Sequence, residues 1–192
     1  MDVTLGIAII GLLIAILSAI YARRGVRIAR DAFSSAEKAR MHQVLVDVLF
    51  EYRSAEMLLA IRTLWTFYNE HRENLGEAYN VIRRREESEI SKLEPERRLQ
   101  RERTTLHHQR RLVGKFYSLL AGLYELQVIP AKTLYTYWSK GDLRILPLII
   151  LPIERALSKE LKTASGEGHP ALERMQRLYD DCPNRNAFEP KN

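Results

Sequence analysis

Three charged side chains stand inside apolar sequence: Arg53 closing an apolar helical stretch, Arg144 between Leu143 and Ile145, and Glu154 after Leu151-Pro152-Ile153. A charge in such surroundings must be paired or must reach the surface, because an isolated ion out of water costs many kcal/mol. The spacing predicts an internal ion-pair cluster of Glu51, Arg53, Asp142, Arg144 and Glu154, with an architectural role weighed above a catalytic one.

The remaining residues capable of chemistry form no pattern that fixes a reaction. His42, His71, His107, His108 and His169 show neither HExxH nor another ligand spacing. There is no GxSxG, no glycine-rich phosphate loop and no nucleotide fingerprint. Glu86-Glu87 and Asp180-Asp181 lie in polar segments that imply no pocket able to raise a carboxylate pKa. Cys182 is the single cysteine, which excludes an internal disulfide and a cysteine-based zinc site. No catalytic residue, metal ligand or cofactor is assigned. Arg97, Arg98, Arg101, Arg103, His107, His108, Arg110 and Arg111 are the best basic run, but Glu94, Glu96 and Glu102 dilute it. It has no aromatic residue for base stacking, which argues against nucleic acid as a partner.

Those residues are carried by a chain organised around its start. Val3 to Tyr21 is nineteen residues without a charge, and as a helix it reaches about 28 Å, close to the hydrocarbon thickness of a bilayer. The bases follow it, at Arg23, Arg24, Arg27 and Arg30, whereas a cleaved signal would carry them in front. The expectation is an uncleaved single-pass anchor in the cell membrane, N-terminus outside, with the rest in the cytoplasm. The four arginines would also meet anionic headgroups. Small residues recur in steps of four and three, among them Ala8, Gly11, Ala15, Ser18 and Ala22 in the anchor, and the row continues to Ala39. Such a row lets helix backbones approach closely and predicts a self-association seam, with a helix that is merely alanine-rich as the alternative.

The chain holds 192 residues, 30 Lys and Arg against 24 Asp and Glu. We divide it into an anchor at 1–22 (core 3–21), a basic juxtamembrane helix at 23–43, a helical bundle at 44–164, a linker at 165–170, a C-terminal helix at 171–181 and a disordered tail at 182–192. Helical periodicity recurs at Val44–Tyr52, with a break at Arg53-Ser54, and then at Met57, Leu58, Ile61, Leu64 and Trp65. Asn69 to Gly76 reads as a turn or a frayed end, a helix restarts near Glu77, and residues 83–87 read as a solvated face or a mobile loop. One helix opens at Glu94-Pro95 and carries the strongest core face, Leu106 to Leu126, up to Pro130. Leu143 to Ile153 reads as a buried helix. Nothing alternates with period two. The fold class is therefore all-α, one N-terminal transmembrane helix continuing into a cytoplasmic bundle of about five to seven helices.

Several pieces, in order, resemble a prokaryotic family catalogued only as a domain of unknown function. They are Glu51-Tyr52-Arg53 with Glu56-Met57, Leu64-Trp65, Arg110 to Val113 leading to Phe116-Tyr117, Tyr137-Trp138, Asp142-Leu143-Arg144 and Pro152-Ile153-Glu154. The resemblance implies a single-anchor protein with a helical cytoplasmic domain and brings no activity with it. The expected function is a non-enzymatic interaction or scaffold module, with the bilayer, a second copy and a further protein as partners. The alternatives are a membrane effector or sensor in phage defence or stress response, and a tethered enzyme working through the Arg and Glu cluster.

Overall fold

Helix is the only regular structure among the described residues. The structure, a computed structural model, describes the backbone of residues 3–161 and 169–183 and the side chains of 21–160 and 169–183. α1 runs from Val3 to Tyr52 without a break. The chain divides into two compact units, residues 1–46 and 47–192. In the first, residues 21–40 are exposed on every side of the helix, Ala22 and the four arginines included. Among the described residues no helix is long and apolar enough to cross a membrane. The side chains of anchor residues 3–20, Ala8, Gly11, Ala15 and Ser18 among them, lie outside that set.

The second unit takes in the end of α1, from Asp47 to Tyr52. Tyr52 stacks on Phe116 with ring centroids 5.4 Å apart and meets Trp138 edge-on at 5.7 Å. The predicted break follows, and Ser54 caps α2 (Ala55–Glu70) by accepting from the Met57 amide at 3.1 Å. α2 buries Met57, Ala60, Leu64 and Phe67. Leu58, expected in that core, is exposed, since it lies about 100° round the cylinder from Met57.

α3 covers Leu75–Ser91, starting two residues before the expected Glu77. Residues 83–87, expected as a solvated face or a loop, are the middle of this helix. Gly76 also belongs to it, and a Cβ placed there would lie 2.5 Å from the Ala156 Cβ. The glycine therefore serves close helix packing and not a turn.

The single helix expected from Glu94 onward is two. α4 spans Pro95–Arg103 and α5 spans Leu106–Glu125. Thr105 separates them by capping α5, its hydroxyl accepting from the His108 amide at 3.1 Å. α5 buries Leu106, Val113, Phe116, Tyr117 and Leu120, while Leu126, expected on the same face, lies past its end at 75% exposure. α6 (Ala131–Tyr137) follows Pro130, and α7 (Lys140–Leu143) opens with a capping box between Ser139 and Asp142.

Leu143 to Ile153 is buried as expected, at Leu143, Ile145, Leu146, Ile149, Ile150, Leu151 and Ile153. It is not a plain α-helix. Pro147 and Pro152 supply no N–H, and the Leu151 amide reaches back five residues to the Leu146 carbonyl, giving a π-helical segment at Leu146–Ile150. α8 (Leu151–Leu161) continues it, and α9 (Pro170–Asp180) closes the unit. Eight α-helices thus follow α1 among the described residues, more than five to seven, because threonine and proline cut two expected helices. α5 packs between α2 and α9, and α3 packs on α8. His169 and Pro170, expected in a linker, cap and open α9. Cys182, expected in a disordered tail, is buried with its thiol 3.9 Å from the Trp138 carbonyl.

Candidate functional site

The buried polar groups of the bundle converge where α3, α5 and α8 meet. α3 brings Tyr79 and Arg83, one turn apart on one face, with Glu86 and Glu87 a further turn on. α5 brings His107 and Arg110, and α8 brings Glu154 and Glu160. Tyr79 is fully buried, and Arg83 and Arg110 are each less than a tenth exposed.

Each group has a partner. Arg110 pairs with Glu154, and its guanidinium lies 5.9 Å from the centroid of the Tyr79 ring. Arg83 holds Glu87 at 2.6 Å and Glu160 at 2.8 Å, and Arg84 reaches the same Glu160 oxygen at 2.8 Å. The Glu86 carboxylate accepts from the Leu106 amide at 2.9 Å and the His107 amide at 3.5 Å, placing a negative charge on the positive end of α5.

Tyr79 Oη and His107 Nδ1 are 2.9 Å apart. Burial, with a further push from Glu154, takes the Tyr79 phenol up to about 12. Burial, followed by the charges of Arg110 and Arg111, takes the His107 imidazole down to about 4. Both are therefore neutral near pH 7, and they share a neutral hydrogen bond whose direction follows the tautomer of His107. A general base at that pH wants a pKa near 7, and this pair is displaced from it in both directions. Beside the pair lies a cleft of about 350 Å³, lined by Arg83, Glu86, Arg98, Glu102, His107 and Arg111 among others.

The predicted ion-pair cluster is not assembled. Glu51 and Arg53 are exposed. Asp142 is exposed and spends its carboxylate on the Ser139 amide at 2.9 Å and the Ser139 hydroxyl at 2.6 Å. Arg144 is exposed, with its guanidinium 4.8 Å from the centroid of the Trp65 ring. It lies between buried Leu143 and Ile145, yet the winding of the chain turns it outward. Only Glu154 sits in a buried ion pair, and its partner is Arg110. Sequence reasoning placed Arg110 in the basic run, whose members divide between α4 and α5. On α4, Arg98 donates to the Leu93 carbonyl at 2.7 Å, and Arg101 pairs with Glu89 at 3.2 Å. Tyr79, Arg83, Glu86 and Glu160 were missed. The available signals were the four-residue spacings Tyr79–Arg83 and Arg83–Glu87. Among the described residues no group of three or more His, Cys, Asp or Glu is placed to hold a metal ion.

No protein-family model, no curated protein and no solved structure matches this chain. The fold defines an all-helical protein, a long N-terminal helix followed in the chain by a helical bundle.

Proposed function

We propose that this protein is a membrane-tethered interaction module whose helical domain works by binding and not by catalysis. Residues 3–21 are the anchor, N-terminus outside. Arg23, Arg24, Arg27 and Arg30 lie at the cytoplasmic headgroups, and Ala8, Gly11, Ala15, Ser18 and Ala22 pack against a second copy. Kinship to the single-anchor family of unknown function belongs to the same reading.

One observation carries it. Nineteen uncharged residues are followed at once by four arginines on a continuous helix, and that helix has every side exposed over residues 21–40. A bare helix rich in apolar residues is poorly stable in water, and a bilayer supplies the missing environment for its first half. The binding role is supported by the mutual pairing of the buried charges of the domain. The tethered-enzyme alternative required Arg53, Arg144 and Glu154 in one pocket. Glu154 lines a cleft with Arg110 and Gly114, and Arg144 lines another with Trp65.

Carbonate extraction and liposome flotation test the tether. The full chain is expected to stay with membranes and a chain lacking residues 1–40 to be released. Release of the full chain by carbonate overturns the proposal. The seam is tested by Ser18→Cys in a Cys182→Ser background, which is expected to give a disulfide-linked dimer under oxidation. A monomer there would remove the seam and leave the tether standing.

A further inference from the structure

Elsewhere on the domain lies a notch where cations meet aromatic faces with no acid among the described residues that line it. Trp65, Tyr68, Asn69 and Arg72 follow the spacing of one side of α2 and the turn after it. Arg144, just before the π-helical segment, and Leu148, within it, complete a notch of about 400 Å³. The Trp65 and Tyr68 rings meet edge to face at 5.6 Å. Arg72 lies over Tyr68 with its guanidinium carbon 5.3 Å from the ring centroid, and Arg144 lies over Trp65 at 4.8 Å. Among the described residues no Asp or Glu lines the notch, whereas the α3–α5 cleft carries Glu86, Glu87 and Glu102. Arg83, Arg84, Arg85, Arg101, Arg110, Arg174 and Arg177 have carboxylate partners, and neither notch arginine is among them.

We propose that the notch of Trp65, Tyr68, Asn69, Arg72 and Arg144 binds a phosphate monoester. Two unneutralised guanidinium groups match a dianion, and each fork can take a pair of phosphate oxygens. A carboxylate would occupy one fork and leave the other charge unanswered. Cation–π contact with the rings restrains each guanidinium before the ligand arrives, which reduces the side-chain entropy lost on binding. The notch is larger than a phosphate group, and Leu148 and the exposed parts of the two rings offer an apolar wall for the organic part of an ester. The proposal does not depend on the membrane tether.

The test uses the full chain in a zwitterionic detergent, with phenyl phosphate as probe and tryptophan fluorescence as signal. Trp65 lines the site, while Trp138 is fully buried and contributes a constant background. Phenyl phosphate is expected to change the emission saturably, with a Kd below about 1 mM. Arg72→Gln and Arg144→Gln should each weaken binding about tenfold or more, since each removes a charge-assisted fork. Arg144→Lys should also weaken it, because a point charge cannot reproduce the stacked fork. Arg97→Gln, an exposed change on α4, should leave it intact. Both notch arginines are exposed, so the variants should keep their circular dichroism. Should Arg144→Gln lose its fold, Arg144→Lys carries the same comparison. Absence of saturable binding overturns the proposal, and so does an equal loss in Arg97→Gln, which would mark unspecific charge attraction. Competition by phosphatidic acid in phosphatidylcholine vesicles identifies a lipid headgroup as the source of the phosphate. Phenyl phosphate binding without that competition identifies a soluble ester, and either result supports the site.

Discussion

Two arginines carry weights opposite to what their sequence surroundings suggest, Arg110 in a polar basic run and Arg144 between Leu143 and Ile145. Arg110 is buried and paired with Glu154, so losing its charge leaves a carboxylate partly out of water. Arg110→Met should lower stability by about 3 kcal/mol, the lower end for breaking a buried pair because Glu154 keeps some solvent contact. Arg144 is exposed on the Trp65 face, and Arg144→Met should cost about 0.5–1 kcal/mol. Paired chemical denaturation of the two variants checks the order, and an equal loss would contradict this geometry. His107 makes a prediction in pH. Its folded pKa is depressed to about 4 from 6.5, so the unfolded chain binds the proton more readily. Stability linked to His107 is therefore complete above pH 6.5 and declines as pH falls from there toward about 4. His107→Gln removes this titration, and its stability should decline less across that window than that of the unmodified chain. A parallel decline in both would place the pH response elsewhere.

At the scale of elements, the contacts between helices are set by small residues and by helix ends. Gly76 lets α3 approach α8, because a Cβ there would meet the Ala156 Cβ at 2.5 Å. Ala156 has no flexible side chain to move aside, so the two helices must separate. Gly76→Ala should cost about 1–3 kcal/mol despite the higher helix propensity of alanine. Gly76→Ala with Ala156→Gly should recover most of the part due to the clash, and a double variant no better than the single one would reject that cause. Glu86 ties α3 to the start of α5 through the Leu106 and His107 amides. Glu86→Gln keeps one acceptor and loses the charge, so it should cost about 0.5–1 kcal/mol. Hydrogen exchange should show those two amides opening faster while the middle of α5 is unchanged. The element breaks divide by how they are written. Ser54 before an apolar period was readable as a cap. Thr105 sits in a strongly helical context, and its capping bond to the His108 amide is visible only in the structure.

For the whole molecule, the two compact units imply separable folding. Among the described residues every buried apolar side chain, from Leu45 to Cys182, lies beyond residue 40, and the aromatic cluster of Tyr52, Phe116 and Trp138 closes within the second unit. A chain lacking residues 1–40 should be folded, strongly helical by circular dichroism and cooperative in its melt. A truncated chain without a cooperative melt would show that the first unit is needed for the fold of the second.

The amino-acid sequence by itself determined the all-helical class, the uncharged stretch with its trailing arginines, the break at Ser54 and the burial of residues 143–153. These follow from local periodicity, capping chemistry and run length, which neighbouring residues in the chain decide. Partner choice was decided only by the tertiary structure. Glu154 was legible as a charge needing a partner, but Arg110 is 44 positions away and only the packing of α5 against the last helices joins them. Arg144 looked buried because its neighbours are apolar, yet a helix turns successive residues about 100° apart, so one exposed position fits within a buried run. Arg83 looked solvated because charges surround it. The face shared with Tyr79, and the distant Glu160, place it inside.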